Sequence, residues 1–287
     1  MLHRIWQTLR RFGRLYTGKR LPSASAALSF YLTMTLFPLL IILYTLLGNS
    51  HGFITRALEF ARGVLAAKTV DVIKEYLRYV VLNNSRSMML AALFVLVTSA
   101  SAAVRTLQAT IGQLQGKQRF QGLKDFLFSV VFSLLFTAAL YFAILVMLTG
   151  KDFFAWLKGL IPSVDMGGIW QVLRYPLLAL IVYGILCGAY AVSRSHDGRY
   201  PIRAGAVTAT AAMIGVCVGY SAVIGASSRY PLVYGSLASV ILLMMWLYTV
   251  CLVIVCGAAL NVALRDVHTE EKQRRFAPEQ KNESREP

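Results

Sequence analysis

The sequence predicts an all-α membrane protein of about six transmembrane helices, with further amphipathic helices at the N-terminus and in the first loop. Three observations lead there. Of 287 residues, 57% are hydrophobic and only 15% charged, too few polar groups to clothe a soluble core of this size. The apolar residues fall into blocks long enough to cross a bilayer, parted by short charged segments. Finally, the 29 Lys and Arg against 13 Asp and Glu lie beside the apolar blocks rather than in one patch. That distribution suits anionic headgroups and orientation control, and nucleic acid is not an expected partner.

Residues 1–23 carry Arg4, Arg10, Arg11, Arg14, Lys19 and Arg20 and no acidic residue. Ile5, Leu9, Phe12 and Tyr16 recur at helical spacing, which predicts a basic amphipathic helix lying on the cytoplasmic leaflet. The transmembrane domain is assigned to residues 24–264. Its first span, about Ala24 to Leu47, opens on small residues that permit close helix approach. Pro38 within it removes one backbone hydrogen bond and marks a kink, either architectural or a moving joint. Residues 48–87 form a long external loop whose apolar spacing is broadly helical, predicting one or two amphipathic helices. The second span runs from about Met88 to Val104, and a Gln-rich connector, 108–124, follows. The remaining spans are placed near 126–148, 173–192, 204–224 and 237–260. Residues 265–287 balance six basic against six acidic residues with little apolar content, a composition that predicts a disordered charged tail.

Charge sets the orientation. With the N-terminus inside, the inner segments hold 6, 4, 3 and 6 Lys and Arg, a total of 19, and the outer loops 6, 3 and 1, a total of 10. The excess places both termini in the cytoplasm of a multi-pass protein of the cytoplasmic membrane. The first apolar run follows a long basic stretch and continues to spanning length, so no cleavable signal peptide is expected.

Catalytic patterns are missing. His3, His51, His196 and His268 form no HExxH pair, and there is no P-loop, no GxSxG and no carboxylate cluster in the spans. Cys187, Cys217, Cys251 and Cys256 fall inside apolar spans with no CxxC spacing and read as packed thiols. The pattern calls for no catalytic group, no metal and no cofactor. The absence of acids at membrane depth also weighs against a carboxylate proton relay. Ser99, Ser101, Thr106, Gln108, Thr208, Thr210, Ser221, Ser239 and Asn261 are the mild polar groups that remain, and most such hydroxyls bond their own helix.

Arg105 stands out. An arginine at a helix centre costs about 2.5–3.5 kcal/mol on insertion scales, whereas one at a span's end can snorkel to phosphate. It is either such an anchor or a lipid-phosphate ligand at an inner cavity, since guanidinium pairs bidentately with phosphate. Arg229, the one charge of the fifth loop, poses the same choice on the outer side. Ala211, Gly215 and Gly219 recur every four residues on the fifth span, a surface for tight packing or for a helix that slides.

Two segments resemble a known family. Ala26-Ala27-Leu28-Ser29-Phe30-Tyr31 with Leu36-Phe37-Pro38-Leu39-Leu40 is similar to the first-span signature of the YihY/BrkB family. Tyr234-Gly235-Ser236-Leu237-Ala238, Trp246-Leu247-Tyr248 and Gly257-Ala258-Ala259-Leu260-Asn261 resemble its last-span signature. The family commonly carries a glutamate where this chain has Ala259. The resemblance implies a bacterial inner-membrane protein, linked in some relatives to envelope lipid export and in others labelled a ribonuclease. Tyr234 and Asn261, within the matching segments, join Arg105 and Arg229 as candidate substrate contacts; the proline kink and the small-residue spacing make Pro38, Gly215 and Gly219 candidate hinges. Membrane lipids are the expected partners. The resulting expectation is a lipid transporter or flippase, with a scaffold that recruits an envelope protein through the first loop or the tail as the alternative.

Overall fold

In the computed structural model, the described residues are 2–47, 58–59, 70–71, 73–75, 86–116, 131, 166–192, 202–226 and 237–283. Among them every regular element is a helix, and there is no strand. The main helices are α1 (Leu2–Gly18), α2 (Leu21–Leu47), α3 (Arg86–Leu114), α4 (Met166–Val192), α5 (Ile202–Ala226) and α6 (Leu237–Glu283). Four apolar stretches, Leu21–Ile42, Ser87–Leu114, Ile202–Tyr220 and Val240–Glu270, are long enough to cross a membrane, and Tyr175–Ala191 is a shorter apolar helix. The third expected span and most of the 48–87 loop lie outside the described residues.

Helix boundaries follow local chemistry. Only Lys19 and Arg20 separate α1 from α2, and Arg20 takes a left-handed backbone with φ 50°. Its carbonyl accepts from the N–H groups of Ser23 and Ala24, so it caps the start of α2. At the far end of α3, Gly116 adopts φ 70°, the conformation glycine reaches without a Cβ penalty. Gln115 and Gly116 donate back to the carbonyls of Ile111 and Gln113. α2 continues through Pro38 and α4 through Pro176.

α2 and α3 are antiparallel, fixed in register by a 3.1 Å hydrogen bond between the hydroxyls of Thr35 and Ser99. α6 lies against α2 and α5, and α1 against α6. The main core gathers at one end of the bundle. Leu21 and Leu28 of α2 meet Ala103, Ile111 and Leu114 of α3, Leu186 and Tyr190 of α4, Ala206 and Ala209 of α5, and Val255 to Val262 of α6. Phe12, Leu15 and Tyr16 of α1 close over this cluster. It is the end that holds the start of α2 and the last turns of α3 and α4. A small second cluster, Ile41 and Ala92 with Ile42 and Met88, packs the opposite end of the α2–α3 pair.

Candidate functional site

The most tightly built region lies where α4, α5 and α6 meet. Asn261 on α6 is fully buried. Its Oδ1 accepts from the Gly205 N–H at 2.6 Å, and its Nδ2 donates to the Ile202 carbonyl at 3.2 Å, so one amide grips the first turn of α5. Four residues back on α6, Gly257 occupies the same contact. A Cβ on Gly257 would lie 2.6 Å from the Tyr190 hydroxyl and 2.8 Å from the Gly205 carbonyl oxygen. Tyr190, also fully buried, donates its hydroxyl proton to the Ile254 carbonyl at 2.7 Å. Further along, Tyr220 of α5 donates to the Leu242 carbonyl of α6. Small residues bring the backbones together and polar side chains tie them, which is how helices associate where the hydrophobic effect gives little. Gly205 and Tyr190 carry no motif in the sequence. The only signal for them is the four-residue spacing of Gly205 with Ala209, repeated by Gly257 with Asn261. Ala259, where the family resemblance leads one to expect glutamate, is fully buried here, in surroundings where a carboxylate would need a partner.

A second feature is a set of buried hydroxyls on α2 and α3, tied across the pair where Thr35 meets Ser99. Ser25, Ser29 and Thr33 on α2 and Ser99, Ser101 and Thr110 on α3 are buried. Ser25, Ser29, Thr33, Ser99 and Thr110 each donate to a carbonyl of the preceding turn of their own helix. The Ser101 hydroxyl is buried without a hydrogen-bond partner.

Arg105 sits on the side of α3 away from Ser99, the side that the buried Ser101, four residues before it, also occupies. It is exposed, on the same helical face as Thr98 and as Phe94, which is 71% exposed, and this face points away from α2. The helix does not end near it but runs nine residues further, to Leu114. The 28-residue apolar stretch Ser87–Leu114 is roughly 42 Å long at 1.5 Å per residue, longer than a hydrocarbon layer of about 30 Å. Counted from Ser87, Arg105 is roughly 27 Å along, at the boundary of that layer if Ser87 marks the other. The last turns of α3, and the first turns of α2 beside them, then stand among headgroups.

The third feature is ionic and joins the two ends of the chain. Arg11 of α1 lies 3.8 Å from Asp266 and hydrogen-bonds Glu270, both on α6, while Arg265 pairs with Asp266 at 2.9 Å. α6 remains helical to Glu283, through the stretch whose composition predicts disorder.

The candidate site residues therefore scatter. Asn261 is in the buried junction and Arg105 on the outward face of α3. Pro38 is buried inside α2. Gly215 and Gly219 are exposed on α5, with nothing within 4 Å of where a Cβ would stand. Arg229 and Tyr234 lie outside the described residues. Cys251 is buried and Cys187, Cys217 and Cys256 are half-buried, all as free thiols. Among the described residues no three His, Cys, Asp or Glu converge as metal ligands would.

The family model described as Virulence factor BrkB matches residues 13–283. The chain belongs to the BrkB family. That match takes in the junction of α4, α5 and α6, the buried hydroxyls of α2 and α3, and Arg105. The chain is also 26% identical over 260 residues to the putative ribonuclease-like protein YfkH of Bacillus subtilis (strain 168), covering 87% of this chain and 92% of that one. No solved structure matches it. Family membership agrees with the apolar helices in making this BrkB chain a membrane protein.

Proposed function

We propose that this BrkB-family chain is a lipid transporter of the cytoplasmic membrane, flippase-like in action or supporting envelope lipid export. Both termini are assigned to the cytoplasm by the excess of Lys and Arg on the inner segments. The observation that carries the reading is Arg105. An exposed guanidinium that the count from Ser87 puts near the headgroup level suits a lipid phosphate, which it can bind through two parallel hydrogen bonds. The hydroxyls behind it, from Ser29 to Thr110, give the same helix pair polar groups without a fixed charge.

A hydrolytic reading has less support. The ribonuclease-like name belongs to the Bacillus subtilis relative, and strand cleavage requires an acid–base pair or a metal held by several ligands. Among the described residues no three such metal ligands come together. The scaffold reading draws on the helical extension of α6 beyond Arg265, a charged segment that a partner could grip.

Liposomes loaded with head-labelled phospholipids test the proposal. Reconstituted protein should move anionic lipid between leaflets faster than empty vesicles do, and R105Q should slow that movement severalfold with folding intact. Movement no faster than in empty vesicles, across several headgroups, would sink the transport reading.

A further inference from the structure

We propose that the outward face of α1 is a docking surface for the anionic phospholipid headgroups of the leaflet in which the chain is embedded. The amphipathic pattern of α1 suggests a helix whose apolar stripe, Leu9, Phe12 and Tyr16 included, rests in the leaflet. The structure divides that stripe. Thr8, Phe12, Leu15 and Tyr16 turn toward the bundle, with the last three packed on the main core, and Arg11 on the same side reaches Asp266 and Glu270. These groups already have protein partners.

The opposite face consists of Trp6, Leu9, Arg10, Gly13, Arg14 and Thr17, all exposed. Trp6 and Leu9 are 65% and 62% exposed, and on the helical wheel they form one edge while Arg10 and Arg14 form the other. Such an edge-to-edge pairing of an indole with cations matches the layered chemistry of a membrane interface. Trp settles at the headgroup level, Leu enters the first carbons, and Arg meets phosphate.

Two facts select lipid as the occupant. Residues 1–23 hold six basic side chains and no acid, so the face complements an anionic surface and nothing on its own helix neutralises it. Its position is also fixed. The two-residue turn Lys19–Arg20, exposed and cationic, leads straight into the apolar α2, so the C-terminal end of α1 stays within a few residues of the hydrocarbon boundary. Docking of the inner face on α6 holds the helix there, so the lipid-binding groups are presented by a fixed element.

The inference does not rest on transport, and its test involves none. Full-length protein is placed in nanodiscs of phosphatidylcholine alone or mixed with phosphatidylglycerol. The Trp6 contribution to acrylamide quenching is isolated by difference against W6F, which leaves the other three tryptophans in place. Trp6 should become severalfold less quenchable as phosphatidylglycerol is added. R10Q/R14Q, whose side chains touch solvent, should fold normally and lose that dependence, and R10K/R14K should regain it. Equal quenching in both lipids, or protection that R10Q/R14Q keeps in full, would overturn the proposal. So would protection of Trp6 by a short single-stranded RNA in neutral discs when phosphatidylglycerol gives none, because the face would then serve nucleic acid.

Discussion

Gly205 is held between two groups that cannot both retreat. A Cβ there would meet the Asn261 Cγ at 2.6 Å and the Gly257 carbonyl oxygen closer still, one a buried hydrogen-bonded amide and the other backbone. G205A should therefore cost about 1–3 kcal/mol through overpacking. N261A keeps the space but leaves the Gly205 N–H without its side-chain acceptor, at about 1–2 kcal/mol for hydrogen bonds in a membrane interior. By contrast, Gly215 and Gly219 have open surroundings, so G215A and G219A should leave stability unchanged or raise it through helix propensity. Thermal release of the buried Cys251 thiol to a maleimide dye in detergent measures all four variants. The comparison also shows what a single chain conceals. Ala211, Gly215 and Gly219 share the four-residue spacing of Gly205 and Ala209, yet only the second pair meets another helix among the described residues. Spacing marks a smooth helix face, and which smooth face is covered depends on the partner helix. Asn261 was marked by its polarity within an apolar run and by the family signature, but its role depends on Gly205, 56 residues earlier.

At the scale of the element, the helices were legible wherever an apolar run was long, and their ends were not. Arg105 and the glutamines after it mimic the end of a span, yet α3 continues to Leu114. Thr106, Gln108 and Gln113 can all sit in a helix, and the stop comes with Gly116, whose left-handed backbone closes the last turn. The same reasoning covers α6 beyond Arg265. Glu270 and Glu271 precede Arg274 and Arg275 by four residues, a spacing that supports a helix already nucleated by the apolar span. Low apolar content signals the lack of a core, and a helix extended from a membrane span does not require one. Docking of α1 on this extension rests on Arg11 as well as on Phe12, Leu15 and Tyr16. Because the ion pairs are partly exposed, R11Q should cost about 1 kcal/mol or less in global stability. Its local effect should be larger: hydrogen exchange in α1 should quicken in R11Q, and in wild type at high salt. An α1 that exchanges alike in both proteins would mean that the apolar contacts alone hold it.

For the whole molecule, the distribution of packing agrees with the distribution of charge. The main core collects where α1, the start of α2, the end of α3, the end of α4, the start of α5 and the middle of α6 come together. On the orientation proposed from the excess of Lys and Arg, this end would be the cytoplasmic one. Composition alone indicated the membrane class, because 57% hydrophobic residues leave few other ways to fold. It gave no sign that burial would be uneven along the bundle, since each span is apolar throughout its length and lipid satisfies a leucine as well as another helix does. That asymmetry makes the topology directly testable. Leu21 and Leu28 share a cluster with Ile111 and Leu114 while Ile41 packs with Ala92, so α2 and α3 are antiparallel, and Gly116 must emerge on the side of Lys19, and Ser87 on the other. In a background without the four native cysteines, single cysteines at positions 19 and 116 should react with a membrane-impermeant maleimide only after the cytoplasmic face is opened. A cysteine at position 87 should react in intact spheroplasts. Labelling of position 116 from outside would break the antiparallel pair, and labelling of both 19 and 116 from outside would keep the fold but invert its orientation. The second result would move Arg105 and the outward face of α1 to the outer leaflet, where phosphate chemistry is the same but the lipids presented differ.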